Sequence, residues 1–198
     1  MSLIDLHVHS TASDGTCSPS EVVALAAAAG LSAIALTDHD TVDGVPEALA
    51  AAESHSVRVI PGAELSALWH EKEIHILGLF LPPDSPALKE ELGRLRQKRE
   101  ERNDEIIRRL TKAGLPVTRE ELQGGCPGTV ITRAHFARVM LEKGYVSSRN
   151  EAFSRYLKPG GPYCPRKEHL FPETAVRLIC DAGGFAALAH PLQYRFGN

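Results

Sequence analysis

Short apolar runs alternate with helical segments along the first 80 residues. Residues 3–8, 31–37, 57–64 and 74–80 are rich in aliphatic side chains and predict strands, the first of them buried. Helices are predicted for 21–29, where Ser18, Pro19 and Glu21 form a helix-start pattern and Gly30 follows, and for 44–55. This alternation indicates parallel strands joined by helical crossovers, so the predicted fold class is α/β, as a sheet or a barrel.

Polar side chains of the kind that bind metals lie at or near the ends of these strands. Side chains two residues apart in a strand point to the same side, so His7 and His9 can converge on one point, and Asp14 follows in the next loop. In α/β folds such groups collect at the carboxyl ends of strands. His7, His9, Asp14, His39 and Glu64 fall at or just beyond those ends, and His190 follows a later predicted strand. His75, within the fourth predicted strand, is a further candidate that could instead be a packed strand residue. The number of these candidates favours one shared metal site over separate turn-forming or packing roles.

The middle of the chain, from about residue 82 to 162, has a different pattern. Residues 87–113 have helical periodicity and dense charge, most of which is expected to form ion pairs on a solvated helix, and further helices are predicted near 132–143 and 148–157. This indicates an all-helical insertion. Arg133 and His135 lie near a helix start, where a phosphate group would be favoured, although an ordinary surface helix explains them equally well. The alternation then resumes with a helix over 172–182 and a strand over 185–189 that ends before His190.

Composition excludes several classes of protein. The chain has 198 residues, an ordinary hydrophobic fraction and a net charge of −3. One domain, or one domain with an insertion, is therefore expected, and long DNA is not an expected partner. Four cysteines lack Cys-x-x-Cys spacing, which indicates neither a zinc knuckle nor a disulfide framework. The sequence has no signal-peptide pattern and no bilayer-spanning apolar run, so a cytoplasmic setting and no membrane partner are expected.

These motifs resemble those of the polymerase-and-histidinol-phosphatase (PHP) superfamily of metal-dependent phosphoesterases. The matching pieces, in the order of that family, are Asp5-Leu6-His7-Val8-His9-Ser10 with Asp14-Gly15, Thr37-Asp38-His39-Asp40, Gly62-Ala63-Glu64, His75, and Leu188-Ala189-His190-Pro191. The segment Thr132-Arg133-Ala134-His135-Phe136-Ala137 is similar to the branch of 3′,5′-nucleoside bisphosphate phosphatases and 5′-3′ exoribonucleases that act on short RNA.

The resemblance implies a distorted (β/α)7 barrel with a trinuclear metal site. Residues 1–82 and 163–198 would form a partial barrel and residues 83–162 a helical insertion domain. The seven candidate ligands would hold divalent Mn, Zn or Fe, with Glu64 bridging two ions, while Arg133 and His135 would bind substrate phosphate, with Arg166 or Lys167 as weaker candidates. Family members carry a further Asp-x-His ligand pair beyond two more strand–helix units, so the barrel is expected to be incomplete at its carboxyl end here.

The expected reaction is hydrolysis of phosphate esters of nucleotides or short RNA by a metal-activated hydroxide, with no protein side chain as nucleophile. No Ser/His/Asp or Cys/His arrangement suggests another mechanism. Two alternatives remain open from the sequence. One is a metal hydrolase of the amidohydrolase type, which also begins with His-x-His. The other is a non-catalytic or impaired metal-binding module that lacks the last two ligands. The oligomeric state is open.

Overall fold

A computed structural model describes residues 3–70, 72–166 and 170–194 of the chain. The chain divides into two compact units, a first unit of Met1–Gly93 with His169–Asn198 and a second unit of Arg94–Glu168. The elements in chain order are β1 (Leu3–Val8), α1 (Pro19–Ala28), β2 (Leu31–Leu36), α2 (Val45–Ala52), β3 (Arg58–Trp69), β4 (Lys72–Leu79), α3 (Pro86–Lys112), α4 (Arg119–Gln123), α5 (Arg133–Glu142), α6 (Arg149–Arg155), α7 (Pro172–Asp181), β5 (Phe185–Leu188) and a short 3-10 turn, Pro191–Tyr194.

The first unit is built on one curled sheet with strand order β1-β2-β3-β4-β5. β1, β2 and β3 are parallel, as predicted, but β4 runs antiparallel to both β3 and β5, so the prediction of parallel strands is wrong for β4. The reason is the length of the connection. Only two residues separate β3 from β4, which permits a hairpin but no crossover. β5 therefore runs in the same direction as β1, β2 and β3.

The core of the first unit lies beneath the central strands. Ile34, Leu36 and Leu65 are fully or almost fully buried there. The expected burial of β1 is wrong at its beginning, because Leu3 and Ile4 are 61% and 57% exposed. The sheet order places β1 at an edge, where it pairs only with β2 among the described strands.

Helix α1 begins and ends as predicted. The Ser18 hydroxyl accepts the backbone N–H of Glu21, and the Glu21 carboxylate accepts the N–H of Ser18, so the capping box is complete. Gly30 has a φ of 74°, the left-handed conformation that glycine adopts at little cost after a helix. These caps fix the start of β2 directly after α1.

The second unit contains the remainder of α3 and helices α4, α5 and α6. Its core is apolar and includes Ile106, Leu110, Phe136 and Met140. The predicted ion pairs on α3 are present, for example Arg96 with Glu100 at 3.4 Å. Within residues 3–70, 72–166 and 170–194, none of the helices combines the length and the apolar character needed to cross a bilayer.

Candidate metal centre

The candidate ligands of the first unit meet at one edge of the sheet. His7 and His9 lie at the end of β1, and backbone hydrogen bonds continue the β2–β3 pairing beyond β2, which sets His39 beside Glu64. His75 reaches the same edge because β4 is antiparallel and its beginning lies beside the end of β3. The N–H of Ala189 donates to the carbonyl of His75, so His190 follows directly at this edge.

Five histidine rings surround the carboxylate of Glu64, whose side chain is only 1% exposed. One oxygen, Oε2, lies 3.2 Å from Nε2 of His7, 3.1 Å from Nε2 of His9 and 3.2 Å from Nδ1 of His39. The other, Oε1, lies 3.0 Å from Nδ1 of His75 and 3.1 Å from Nε2 of His190. The two oxygens therefore face two different groups of imidazoles, as a carboxylate between two ions would.

Asp14 closes the remaining side of the cluster. Its carboxylate oxygens lie 3.4 Å from Nδ1 of His9 and 3.6 Å from Nε2 of His39. Each of three groups of side chains offers atoms within 4.8 Å of one another, the spacing that one ion needs: His7, His9 and Glu64; His9, Asp14 and His39; His39, Glu64 and His75. All seven residues predicted from the sequence lie in this cluster.

A buried carboxylate behind the cluster orients His9. Asp38 is 2% exposed and accepts hydrogen bonds from the backbone N–H of Ser10 at 2.8 Å, from Ser10 Oγ at 2.7 Å and from Ser13 Oγ at 2.6 Å. The Ser13 hydroxyl lies 3.2 Å from Nδ1 of His9. Asp40 acts in a similar way on β3, because its Oδ1 accepts the N–H of Ser66 at 3.0 Å. The contact of Ser13 with His9 is of the kind that fixes ring orientation around a metal.

The backbone at the site adopts conformations that side chains rarely tolerate. Asp40 has a φ of 50° and His190 a φ of 30°, both in the left-handed region. Gly15 packs so closely on the carbonyl of His9 that a β-carbon there would overlap it. Strained backbone at Asp40 and His190 and a close approach at Gly15 therefore adjoin the histidine cluster.

The charges of the cluster perturb one another strongly. Burial opposes the ionisation of Glu64, but hydrogen bonds from His7, His75 and His9 outweigh it and lower the pKa of the carboxyl far below its usual range. Burial opposes the charge of His75, but hydrogen bonds and charges from Glu64 and Glu73 raise its pKa to about 9.

His39, His190 and His9 differ in the direction of their pKa shifts. His39 is the opposite case to His75, since burial lowers its pKa to about 4. Burial also lowers the pKa of His190, while Glu64 and the other nearby acids outweigh burial at His9 and raise its pKa. The site thus contains both readily protonated and readily deprotonated imidazoles.

The donor set fits divalent cations that accept both nitrogen and oxygen. Two carboxylates and five imidazoles converge, and Nδ1 of His39 is buried and makes no hydrogen bond within the described residues, although it lies 3.2 Å from Glu64 Oε2. A buried ring nitrogen without a hydrogen bond is the form that coordinates a metal. Mixed imidazole and carboxylate donors suit Mn²⁺, Fe²⁺ or Zn²⁺ better than Mg²⁺.

The predicted phosphate-binding residues belong to the second unit. Arg133 and His135 lie in the first turn of α5. Nδ1 of His135 accepts the backbone N–H of Thr132, so this ring also caps the helix, and Arg133 lies over the ring of Phe153 at 6.0 Å. Arg166 is exposed, and Lys167 lies outside the described residues.

Three further residues at the site escaped the sequence analysis. Tyr194 accepts the backbone N–H of His75 through its hydroxyl, and its ring lies 5.3 Å from that of His190. Glu73 lies 3.8 Å from Nε2 of His75, and Ser13 links Asp38 to His9. A serine in a loop and a tyrosine after the last strand carry no pattern that would have indicated these contacts.

The fold and the site together define an α/β protein whose sheet edge carries a cluster of five histidines and two carboxylates that could hold metal ions. A family model described as PHP domain matches residues 5–143. The chain belongs to the PHP-domain family, and the recognition made from the motifs is confirmed.

Two relatives with established names match almost the whole chain. A "5'-3' exoribonuclease" of Haemophilus influenzae is 42% identical over 96% of this chain and 69% of its own length. A "3',5'-nucleoside bisphosphate phosphatase" of Chromobacterium violaceum is 38% identical over 100% of this chain and 70% of its own length. These relatives place the chain among the enzymes that hydrolyse phosphate esters, which confirms the predicted enzyme class.

Solved structures agree with the fold. An amidohydrolase from Chromobacterium violaceum, with bound sulfate and no metal, superposes with a TM-score of 0.88 at 38% identity over 98% of this chain and 69% of that chain. A metal-dependent phosphoesterase from Bifidobacterium adolescentis superposes with a TM-score of 0.87 at 26% identity over 94% of this chain and 66% of that chain. The α/β class is therefore confirmed.

Proposed function

We propose that this chain hydrolyses phosphate esters of nucleotides and short RNA, removing the 3′-phosphate of nucleoside 3′,5′-bisphosphates or releasing nucleotides from a 5′ end. The observation that carries the proposal is the Glu64 carboxylate enclosed by five imidazoles, three at one oxygen and two at the other. The names of the two relatives suggest the substrate class.

The proposed ligands are His7, His9, Asp14, His39, Glu64, His75 and His190, with Glu64 shared between ions. Divalent Mn, Fe or Zn at this site would supply Lewis acidity, lower the pKa of water and neutralise charge on the phosphate and the leaving oxygen. The chain's own groups set the geometry. Asp38, through Ser13, holds the ring of His9, and the buried position of Glu64 keeps its charge among the rings rather than in water.

Arg133 and His135 are the proposed phosphate-binding residues of the second unit. The positive end of the α5 dipole and the guanidinium of Arg133 would attract an anion. His135 would contribute through Nε2, since its Nδ1 accepts the Thr132 N–H. The distorted (β/α)7 barrel, the role of α3 to α6 as an insertion and a cytoplasmic setting are parts of the same proposal.

Phosphate release from a nucleoside 3′,5′-bisphosphate, measured against ammonia release from amide and amine substrates, tests the proposal. We expect phosphate release that requires Mn²⁺, Fe²⁺ or Zn²⁺ and that falls at least about a hundredfold in Glu64→Gln. An Asp84→Ala variant, which changes an exposed carboxylate away from the site, is the matched control. Ammonia release without phosphate release would establish the amidohydrolase alternative instead. Turnover of neither substrate class would leave a non-catalytic metal-binding module.

A further inference from the structure

The second unit carries an open basic groove at the end of α3, which the catalytic proposal does not use. The groove has a volume of about 450 Å³ and is lined by Arg108, Arg109, Lys112, Ala113, Pro162 and Tyr163. We call it the α3 groove. Among the described residues its lining contains three cationic side chains and no acidic one.

Hydrogen bonds hold the two arginines of the α3 groove in place. Glu105 accepts hydrogen bonds from Nε and Nη2 of Arg108 at 2.7 and 2.6 Å and from Nε of Arg109 at 2.6 Å. Nη1 of Arg109 donates to the carbonyl of Pro162 at 3.0 Å, which joins α3 to the loop that contains Pro162. The single carboxylate of Glu105 therefore holds two guanidinium groups but neutralises only one of their two positive charges.

Lys112 adds a charge that these contacts leave unbalanced. It is exposed and has no hydrogen-bond or ion-pair partner among the described residues. Cations in the last turn of a helix are favoured by the helix dipole, and pairs between Glu105 and its arginines stabilise the helix itself. Those effects explain why α3 ends in basic residues. The ring of Tyr163 packs partly against the apolar core of the second unit, and the rest of it lines the groove.

The aromatic side of the groove extends beyond Tyr163. The ring of Tyr163 lies 5.3 Å from that of Tyr156 at 47°, and the guanidinium of Arg155 lies 5.2 Å over the Tyr156 ring. A positively charged groove flanked by aromatic rings is the combination that binds single-stranded nucleic acid, because phosphates meet the cations and bases stack on the rings.

We propose that the α3 groove binds the body of a single-stranded RNA substrate. Arg108, Arg109 and Lys112 contact backbone phosphates, and the ring of Tyr163 stacks on a base. The inference rests on the proposed function, since the RNA that the groove would bind is a substrate proposed for the metal centre.

Binding of a 3′-fluorescein RNA of about ten nucleotides, measured by anisotropy in chelator so that the RNA stays intact, tests the groove directly. The variants are Arg108→Gln with Lys112→Gln, and Tyr163→Leu. Lys89→Gln with Lys98→Gln, which removes the same charge from earlier turns of α3, is the matched control. We expect the groove pair to weaken binding about tenfold and to reduce the salt slope by about 1.4. We expect Tyr163→Leu to weaken it about fivefold.

Kinetics separate this inference from the proposed function. In metal-loaded enzyme, kcat/KM for the RNA should fall in the groove variants, while kcat/KM for a nucleoside 3′,5′-bisphosphate should stay within about twofold of the parent. Unchanged RNA affinity and salt slope, or an equal loss in the control pair, would overturn the inference. RNA binding that depends on the groove in a protein that hydrolyses neither substrate would overturn the proposed function and leave the groove assignment standing.

Discussion

Replacing Asp38 by alanine removes the buried carboxylate that ties the first loop to β2 and orients His9. Three hydrogen bonds are lost, from the N–H and hydroxyl of Ser10 and from the hydroxyl of Ser13. A hydrogen bond to a charged group contributes about 1.5–3 kcal/mol, but both hydroxyls can rotate toward other acceptors. We therefore expect a loss of about 3 kcal/mol in the free energy of unfolding of the metal-free protein.

Asp38→Asn should be much milder for a reason visible in the geometry. Oδ1 accepts both the Ser10 N–H and the Ser13 hydroxyl, and the asparagine oxygen can keep both bonds. Only the bond from Ser10 Oγ to Oδ2 has to reverse, with the amide donating to the hydroxyl. We expect a loss of about 1 kcal/mol.

Ser13→Ala separates orientation from stability. This variant keeps the hydrogen bonds from Ser10 to Asp38 but removes the hydroxyl that lies 3.2 Å from Nδ1 of His9. Metal affinity should therefore fall by about 10- to 100-fold, with a smaller loss of stability than in Asp38→Ala. Urea unfolding in chelator and titration with Mn²⁺ or Zn²⁺ measure the two quantities, with Asp84→Ala as the control. Parent-like stability in Asp38→Ala, or equal losses in Asp38→Ala and Asp38→Asn, would refute the reasoning.

Three further predictions follow from the site. Because His75 has a pKa raised to about 9 and must lose its proton to bind a metal, metal uptake at pH 7 should release protons. Calorimetry in buffers of different ionisation enthalpy measures this proton release, and uptake without proton release would contradict the prediction. The same raised pKa stabilises the metal-free protein below pH 6.5, and this contribution to the free energy of unfolding should be lost as the pH rises to about 9. Urea unfolding at several pH values measures this decline, which should be smaller in Glu64→Gln. Gly15→Ala should cost about 1–3 kcal/mol because its β-carbon would overlap the carbonyl of His9, whereas Gly93→Ala, with open space around it, should stabilise α3 slightly.

Most of the histidine and carboxylate cluster could be predicted from the sequence because it follows from strand geometry. His7 and His9 share a face by the two-residue period, and the ends of parallel strands meet at one edge. His75 was assigned through the family resemblance, and the structure adds the physical reason: β4 is antiparallel, so its first half reaches the edge where the other strands end. The direction of β4 depends on the two-residue connection after β3, and hydrophobic periodicity carries no information about strand direction.

The contacts behind the ligands could not be predicted. Asp38 and Ser13, which together hold the ring of His9, are 25 residues apart in the sequence. His75 and Tyr194, which share a hydrogen bond, are 119 residues apart. Neither has a local pattern, because both depend on how distant loops fold over the sheet edge. The exposure of Leu3 and Ile4 likewise depends on the edge position of β1, which hydrophobicity alone does not reveal.

The metal content of the chain tests the central claim most directly. Elemental mass spectrometry would be run on untagged protein loaded with Mn²⁺ or Zn²⁺ and freed of excess ions, beside Glu64→Gln and the Asp84→Ala control. The two faces of the Glu64 carboxylate predict about two or more ions per chain, retained in the control and reduced in Glu64→Gln. A chain that holds less than about one ion, or that holds the same number without the Glu64 charge, would contradict the assignment of this cluster as the metal centre.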